Sequence, residues 1–123
     1  MPTPKDVIWN TITDSAKTRF DYDEYKSSFS ELGNENAVEN ILFMIIVGYA
    51  EEQSVDEIVS KISKQLLLIG FGGDVTKLNV LVVGLQKSLP LEIKATQQAL
   101  AFFDMGLKPP GILVQVKSIL GNK

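Results

Sequence analysis

Histidine and cysteine are both missing from this chain, and their absence removes most of the familiar polar chemistry. Without cysteine there is no disulfide framework and no thiolate nucleophile. Without histidine the commonest general acid/base, the commonest metal ligand and every Ser-His or Cys-His arrangement are gone. Structural zinc sites are built from these same two residues and are excluded with them. Arginine is nearly missing too: Arg19 stands alone, and sequence-specific base readout leans on arginine. The longest apolar run, Ile41 to Ala50 with Gly48 inside it, is about half the ~20 residues that span a bilayer, so it reads as a buried helix. No repeat with a period of 20 to 50 residues and no low-complexity tract occurs. The opening Met-Pro-Thr-Pro-Lys-Asp lacks the apolar core of a signal peptide, and with the absent cysteines it leads us to expect a cytoplasmic protein without a membrane segment. Catalysis by carboxylates, lysine or tyrosine stays chemically open, but the expectation is a protein that is not an enzyme.

The residues present suit one globular domain over residues 1–123. Apolar residues make up 45% and charged residues 22%, far from the disordered class. A chain of this size buries roughly two thirds of its unfolded surface, enough for a self-sufficient core. The net charge of −3 makes it acidic, and the charge is polarised: residues 1–73 hold twelve acids and six bases, residues 74–123 three acids and six lysines. Opposite potentials at two ends favour head-to-tail association or an acidic-facing partner, although ordinary scatter of surface charge explains the same numbers.

Punctuation divides the chain into helical segments. Thr3-Pro4 reads as an N-cap and first turn, with Asp6 placed for the dipole, and Ile8, Ile12, Ala16 and Phe20 form a stripe along a helix that runs to about Arg19. Asp21 to Glu24 opens a second helix with Tyr22, Tyr25, Phe29 and Leu32 on one side, closed by Gly33, and the pair predicts a hairpin. Asn36 with Glu39 has capping-box spacing before Ile41–Val47, a run so apolar that it belongs at the centre. Ser54 with Glu57 is a cleaner box ahead of Ile58, Val59, Ile62 and Leu66. Gly70, Gly72 and Gly73 then break the chain, with Asp74 or Thr76 to cap the next helix. Residues 79–85 are rich in β-branched side chains, but Leu78, Leu81 or Val82, Leu85 and Leu89 keep helical spacing up to Pro90. Leu91–Met105 is helical by propensity and ends at Gly106, and a last helix runs from Pro109-Pro110 to Gly121. The expected fold is an all-α, compact bundle of six or seven short helices. The alternative is α/β, with strands near 66–71, 79–84 and 112–117.

Candidate sites are few. Asp21-Tyr22-Asp23-Glu24 offers oxygens for a hard cation, but a calcium loop begun at Asp21 would need glycine and glutamate where Lys26 and Leu32 stand. It reads as an acidic helix start. Glu51-Glu52 reads as an exposed turn rather than paired catalytic carboxylates. Gly70-Phe71-Gly72-Gly73-Asp74 resembles a phosphate-cradling loop, yet it lacks both the spacing and the Gly-Lys-Ser/Thr ending of known loops, and Asp74 would repel an anion. No metal and no cofactor are expected. The apolar residues exceed what seven amphipathic stripes consume, since Phe102-Phe103, Ile112-Leu113-Val114 and Leu66–Ile69 point consecutive side chains in different directions. They fit buried central helices equally well. The expectation is a non-enzymatic helical interaction module, a small subunit or adaptor that self-associates as a homo-oligomer or binds a protein partner, with Phe102, Phe103, Leu113 and Val114 as the contact residues. An accessory nucleic-acid-binding subunit of a larger complex is the alternative, contacting backbone through Lys77, Lys87, Lys94, Lys108 and Lys117. A small enzyme or ligand-binding domain built on the glycine loop ranks third.

Overall fold

A computed structural model describes residues 3–29, 35–68 and 75–121, and among them every regular element is helical. Seven helices follow in order: α1 (Pro4–Lys17), α2 (Tyr22–Ser28), α3 (Glu35–Ala50), α4 (Val55–Leu68), α5 (Val75–Ser88), α6 (Pro90–Asp104) and α7 (Pro109–Leu120). The all-α bundle is the fold. The described parts of the three segments that also suited strands, 66–68, 79–84 and 112–117, are helical.

The helix ends follow local chemistry. Thr3 and Asp6 form a reciprocal capping box, each side chain taking the other's backbone N–H at 3.1 Å, so Asp6 does more than complement the dipole. The helix closes at Lys17, two residues before the expected Arg19. The Thr18 amide and hydroxyl both bond the Ser15 carbonyl, at 3.1 and 2.7 Å. That tight closure leaves Arg19 outside the helix. Asp21 caps α2 by accepting the Glu24 amide at 3.1 Å, but α2 stops at Ser28, and the expected continuation through Leu32 to Gly33 lies outside the described residues. Ser54 and Glu57 form the predicted box at the start of α4. Asn36, by contrast, lies inside the first turn of α3 rather than ahead of it, and Glu39 instead pairs with Lys17 on α1. Thr76 likewise falls inside α5; the Gly70–Asp74 loop is outside the described residues. Pro90 opens α6 one residue earlier than expected. Gly106 and Gly121 take φ of 79° and 76°, the left-handed closure for which glycine is suited.

Packing organises these helices around α3. Helices α1, α6 and α7 pack with one another, α4 packs with α5, and α3 touches members of both groups. The centrality expected from its all-round apolar sequence is thus present: Leu42, Ile45 and Ile46 are fully buried. Close approach of α3 to α4 depends on Gly48, where a Cβ would sit 2.6 Å from Cγ1 of Ile58. Two phenols tie other helices to α3, Tyr25 of α2 donating to the Val38 carbonyl at 2.7 Å and Tyr49 of α3 to the Val82 carbonyl of α5 at 2.6 Å. Buried apolar residues from all seven helices form one continuous cluster. Helix α2 is the exception to dense packing. It is two turns long, packs only sparsely on other helices rather than as a hairpin on α1, and is held by edge-on and stacked rings of Phe20, Tyr22, Tyr25 and Phe29. No helix among the described residues is long and apolar enough to cross a membrane.

Candidate functional site

Sparse packing of α2 leaves a groove of about 600 Å³ between it and α5. Along α5 its wall is Lys77, Val80, Leu81, Gly84, Leu85 and Ser88, a run of three- and four-residue steps that marks one helix face. The facing wall is Phe20, Asp21, Glu24, Tyr25 and Ser28. Tyr25 and Leu85 are buried and form the floor, whereas Val80 stands 68% exposed. The Tyr25 ring lines the groove while its hydroxyl reaches across to donate to the Val38 carbonyl, a bond that ties α2 to α3 rather than to α5.

Gly84 in the middle of this wall has no explanation among the described residues. An added Cβ would meet nothing of theirs within 4 Å, and its φ is not of the kind that demands glycine. A mid-helix glycine costs about 1 kcal/mol relative to alanine. No close contact among the described residues offsets that cost, so a smooth, low wall is what the residue supplies. The rim is charged. Asp21 and Glu24 line one side and pair with no base among the described residues; Lys77 lines the other. Beyond the groove, at the end of α4, Leu67 and Leu68 are 69% and 79% exposed, the most exposed adjacent pair of large apolar side chains among the described residues.

A second polar cluster serves a different purpose. Glu92 is fully buried in the first turn of α6, where its Oε2 accepts from the Ser15 hydroxyl and from Nε of Arg19, each at 2.7 Å. Arg19 also donates to the Leu120 carbonyl at 3.1 Å, so one guanidinium joins the end of α1, the start of α6 and the end of α7. The adjoining polar hollow is lined by Thr11, Ser15 and Thr18, whose hydroxyls already donate to Val7, Glu92 and Ser15. This cluster is a latch in the fold.

Burial pushes the Tyr25 phenol far above its ordinary range, with the neighbouring Tyr22 adding to the shift, and burial raises Tyr49 as well. For Lys17, burial acts to lower the ammonium, but the Glu39 carboxylate outweighs it and the group is raised. These are structural groups. Among the described residues no three acidic side chains gather as a metal site would require.

The contact residues expected from sequence are spread rather than assembled. Phe102, Phe103 and Leu113 are half-buried against the core. The Phe103 ring lies 5.7 Å from Trp9, and the Lys5 ammonium sits 5.0 Å above it. Val114 is 64% exposed. Lys77, Lys87, Lys94, Lys108 and Lys117 lie on α5, α6, α7 and the residue before α7, and only Lys77 borders the groove. None of the most exposed large apolar side chains among the described residues is aromatic, so the stacking platform of single-stranded nucleic-acid binders has no counterpart there. Sequence reasoning missed the groove and the latch. A signal existed for each: glycine inside an otherwise regular helix for the groove, and Glu92 on the same stripe as buried Ala95, Thr96 and Ala99 for the latch. Compared with models of known protein families, with curated proteins and with solved structures, the chain matches none.

Proposed function

We propose that this chain is a non-enzymatic helical interaction module whose docking site is the α2–α5 groove, and that its ligand is an amphipathic helix carrying basic residues along one flank. The observation that carries the reading is the α5 face itself, with exposed Val80, half-buried Leu81 and the open Gly84 side by side. Helix-in-groove recognition uses apolar anchors three and four residues apart laid into such a channel. The carboxylates of Asp21 and Glu24 supply the preference for a basic flank, since complementary charge steers encounter and fixes register. This reading moves the weight of the interface from Phe102, Phe103 and Leu113, which are half-engaged with the core, to α5. The lysines expected for nucleic acid lie on several helices, and no observation favours that alternative over a protein ligand.

The test is selection of a displayed random-peptide library on the immobilised protein. Enrichment of helix-forming peptides with spaced apolar anchors and flanking lysine or arginine is expected, with binding lost on Val80→Glu. Failure to enrich any such sequence, or binding indifferent to Val80→Glu, would overturn the proposal.

A further inference from the structure

The chain itself contains a helix of the required kind. On α4, Lys61, Lys64 and Leu68 follow one another at helical spacing, with Leu67 beside them; all four side chains are exposed, and neither lysine pairs with an acid among the described residues. Buried Ile58, Val59, Ile62 and Leu66 hold the opposite face of α4 in the core, so this face points away from it. From the geometry we infer that the occupant of the groove is α4 of a second copy of this protein, with Leu67 and Leu68 against Val80, Leu81 and Gly84 and with Lys61 and Lys64 beside Asp21 and Glu24. This inference rests on the docking reading above and names its ligand.

Dimensions and charge support the match. The α5 wall from Lys77 to Ser88 is roughly 17 Å long, and Lys61 to Leu68 spans roughly 11 Å, at about 1.5 Å per residue. The contact joins two different surfaces of the molecule. If both copies dock into each other the assembly closes as a twofold dimer; if each docks into the next it grows as a chain or ring.

Light scattering on the purified chain from micromolar to millimolar concentration reads the association, with circular dichroism melts as the control for folding. The wild-type mass should rise with concentration above the 13.6 kDa of one chain and fall back as salt screens the lysines, by the shortening of the screening length. Leu68→Glu and Gly84→Lys should each weaken association at least tenfold. Gly84→Lys is informative because lysine forms helices better than glycine, so its loss of association cannot come from unfolding. A charge exchange is the sharpest arm: Lys61→Glu/Lys64→Glu chains and Glu24→Lys chains should each stay monomeric alone and associate when mixed. A wild type that remains monomeric to millimolar concentration, or variants that associate as the wild type does, would overturn the inference. If a monomeric wild type still binds basic-flanked peptides in a Val80-dependent way, the second copy is wrong and the docking groove stands. If it binds neither, both readings fall.

Discussion

Replacing glycine by alanine at two helical positions, 48 and 84, separates packing from propensity within one molecule. Both substitutions remove the same conformational freedom and raise helix propensity by about 1 kcal/mol. At position 84 the new methyl meets nothing within 4 Å, so Gly84→Ala should be about 1 kcal/mol more stable than the wild type. At position 48 the methyl would lie 2.6 Å from Cγ1 and 3.0 Å from Cδ1 of Ile58. Ile58 is 1% exposed, and a β-branched side chain is stiff about χ1, so Cγ1 cannot swing away as the tip of a long chain would. Relief must come from separating α3 and α4, and overpacking of this kind costs typically about 1–3 kcal/mol. Set against the propensity gain, Gly48→Ala should be net destabilising by up to about 2 kcal/mol. The two variants should then differ by about 1–3 kcal/mol, or roughly 4–12 °C in Tm for a chain of this length. Urea unfolding read by circular dichroism, on monomeric protein at low concentration, measures both. A Gly48→Ala variant as stable as Gly84→Ala would refute the argument that α3 and α4 meet at Gly48.

Three further outcomes follow from the same structure. Arg19→Ala should cost about 2–4 kcal/mol in urea unfolding, because it strands a buried carboxylate; the figure sits below that of a fully enclosed pair since part of the arginine side chain reaches water. The double replacement Arg19→Met/Glu92→Met should recover most of that loss, as apolar substitution of a buried pair often does, and a double variant worse than Arg19→Ala would contradict the latch. Ser54→Ala removes the α4 cap and should lower stability by about 1 kcal/mol; no change in the midpoint would mean the Glu57 carboxylate suffices alone. Tyr25 and Tyr49 have folded values above the ordinary phenol value, so their contribution is fully present below about pH 10 and is lost as pH rises further. Stability should therefore fall above about pH 10 more steeply in the wild type than in Tyr25→Phe; equal alkaline slopes in both would exclude Tyr25 as a source.

The helices were legible because their boundary signals are local. Thr3 with Pro4, Ser54 with Glu57, Pro109 and Gly121 act on backbone groups within one turn, and each stands where the sequence placed it. The errors arose where distant partners intervened. Asn36 has the right spacing to Glu39, but the choice between cap and first turn depends on what Glu39 does, and it bonds Lys17 from another helix. The four-residue rhythm carried on to Phe20, yet Thr18 closed the helix and the Arg19 guanidinium found a partner 73 residues away. Hydrophobic spacing therefore located the helices and could not say which long-range pair would cut one short.

The candidate site was less legible because it is an absence created by tertiary choice. Phe102 and Phe103 are conspicuous as letters, but adjacent residues on a helix point about 100° apart, and with α6 packed on α1, α3 and α7 both rings fall at the edge of its packed face, half-buried against the core. Val80 and Gly84 are inconspicuous in a segment where β-branched residues already blurred helix and strand. What exposes them is the shortness of α2 and the diversion of Tyr25 to Val38, two facts from another part of the chain. A longer or better-docked α2 would lie on α5 and bury Val80. Glycine at 84 and the exposed Leu67 and Leu68 each forgo stability, as do Met105 and Val114 elsewhere on the surface. What sets the α5 and α4 surfaces apart is the charge beside them, Asp21 and Glu24 at the groove and Lys61 and Lys64 on α4, and that complementarity is the physical argument for reading them as two halves of one contact.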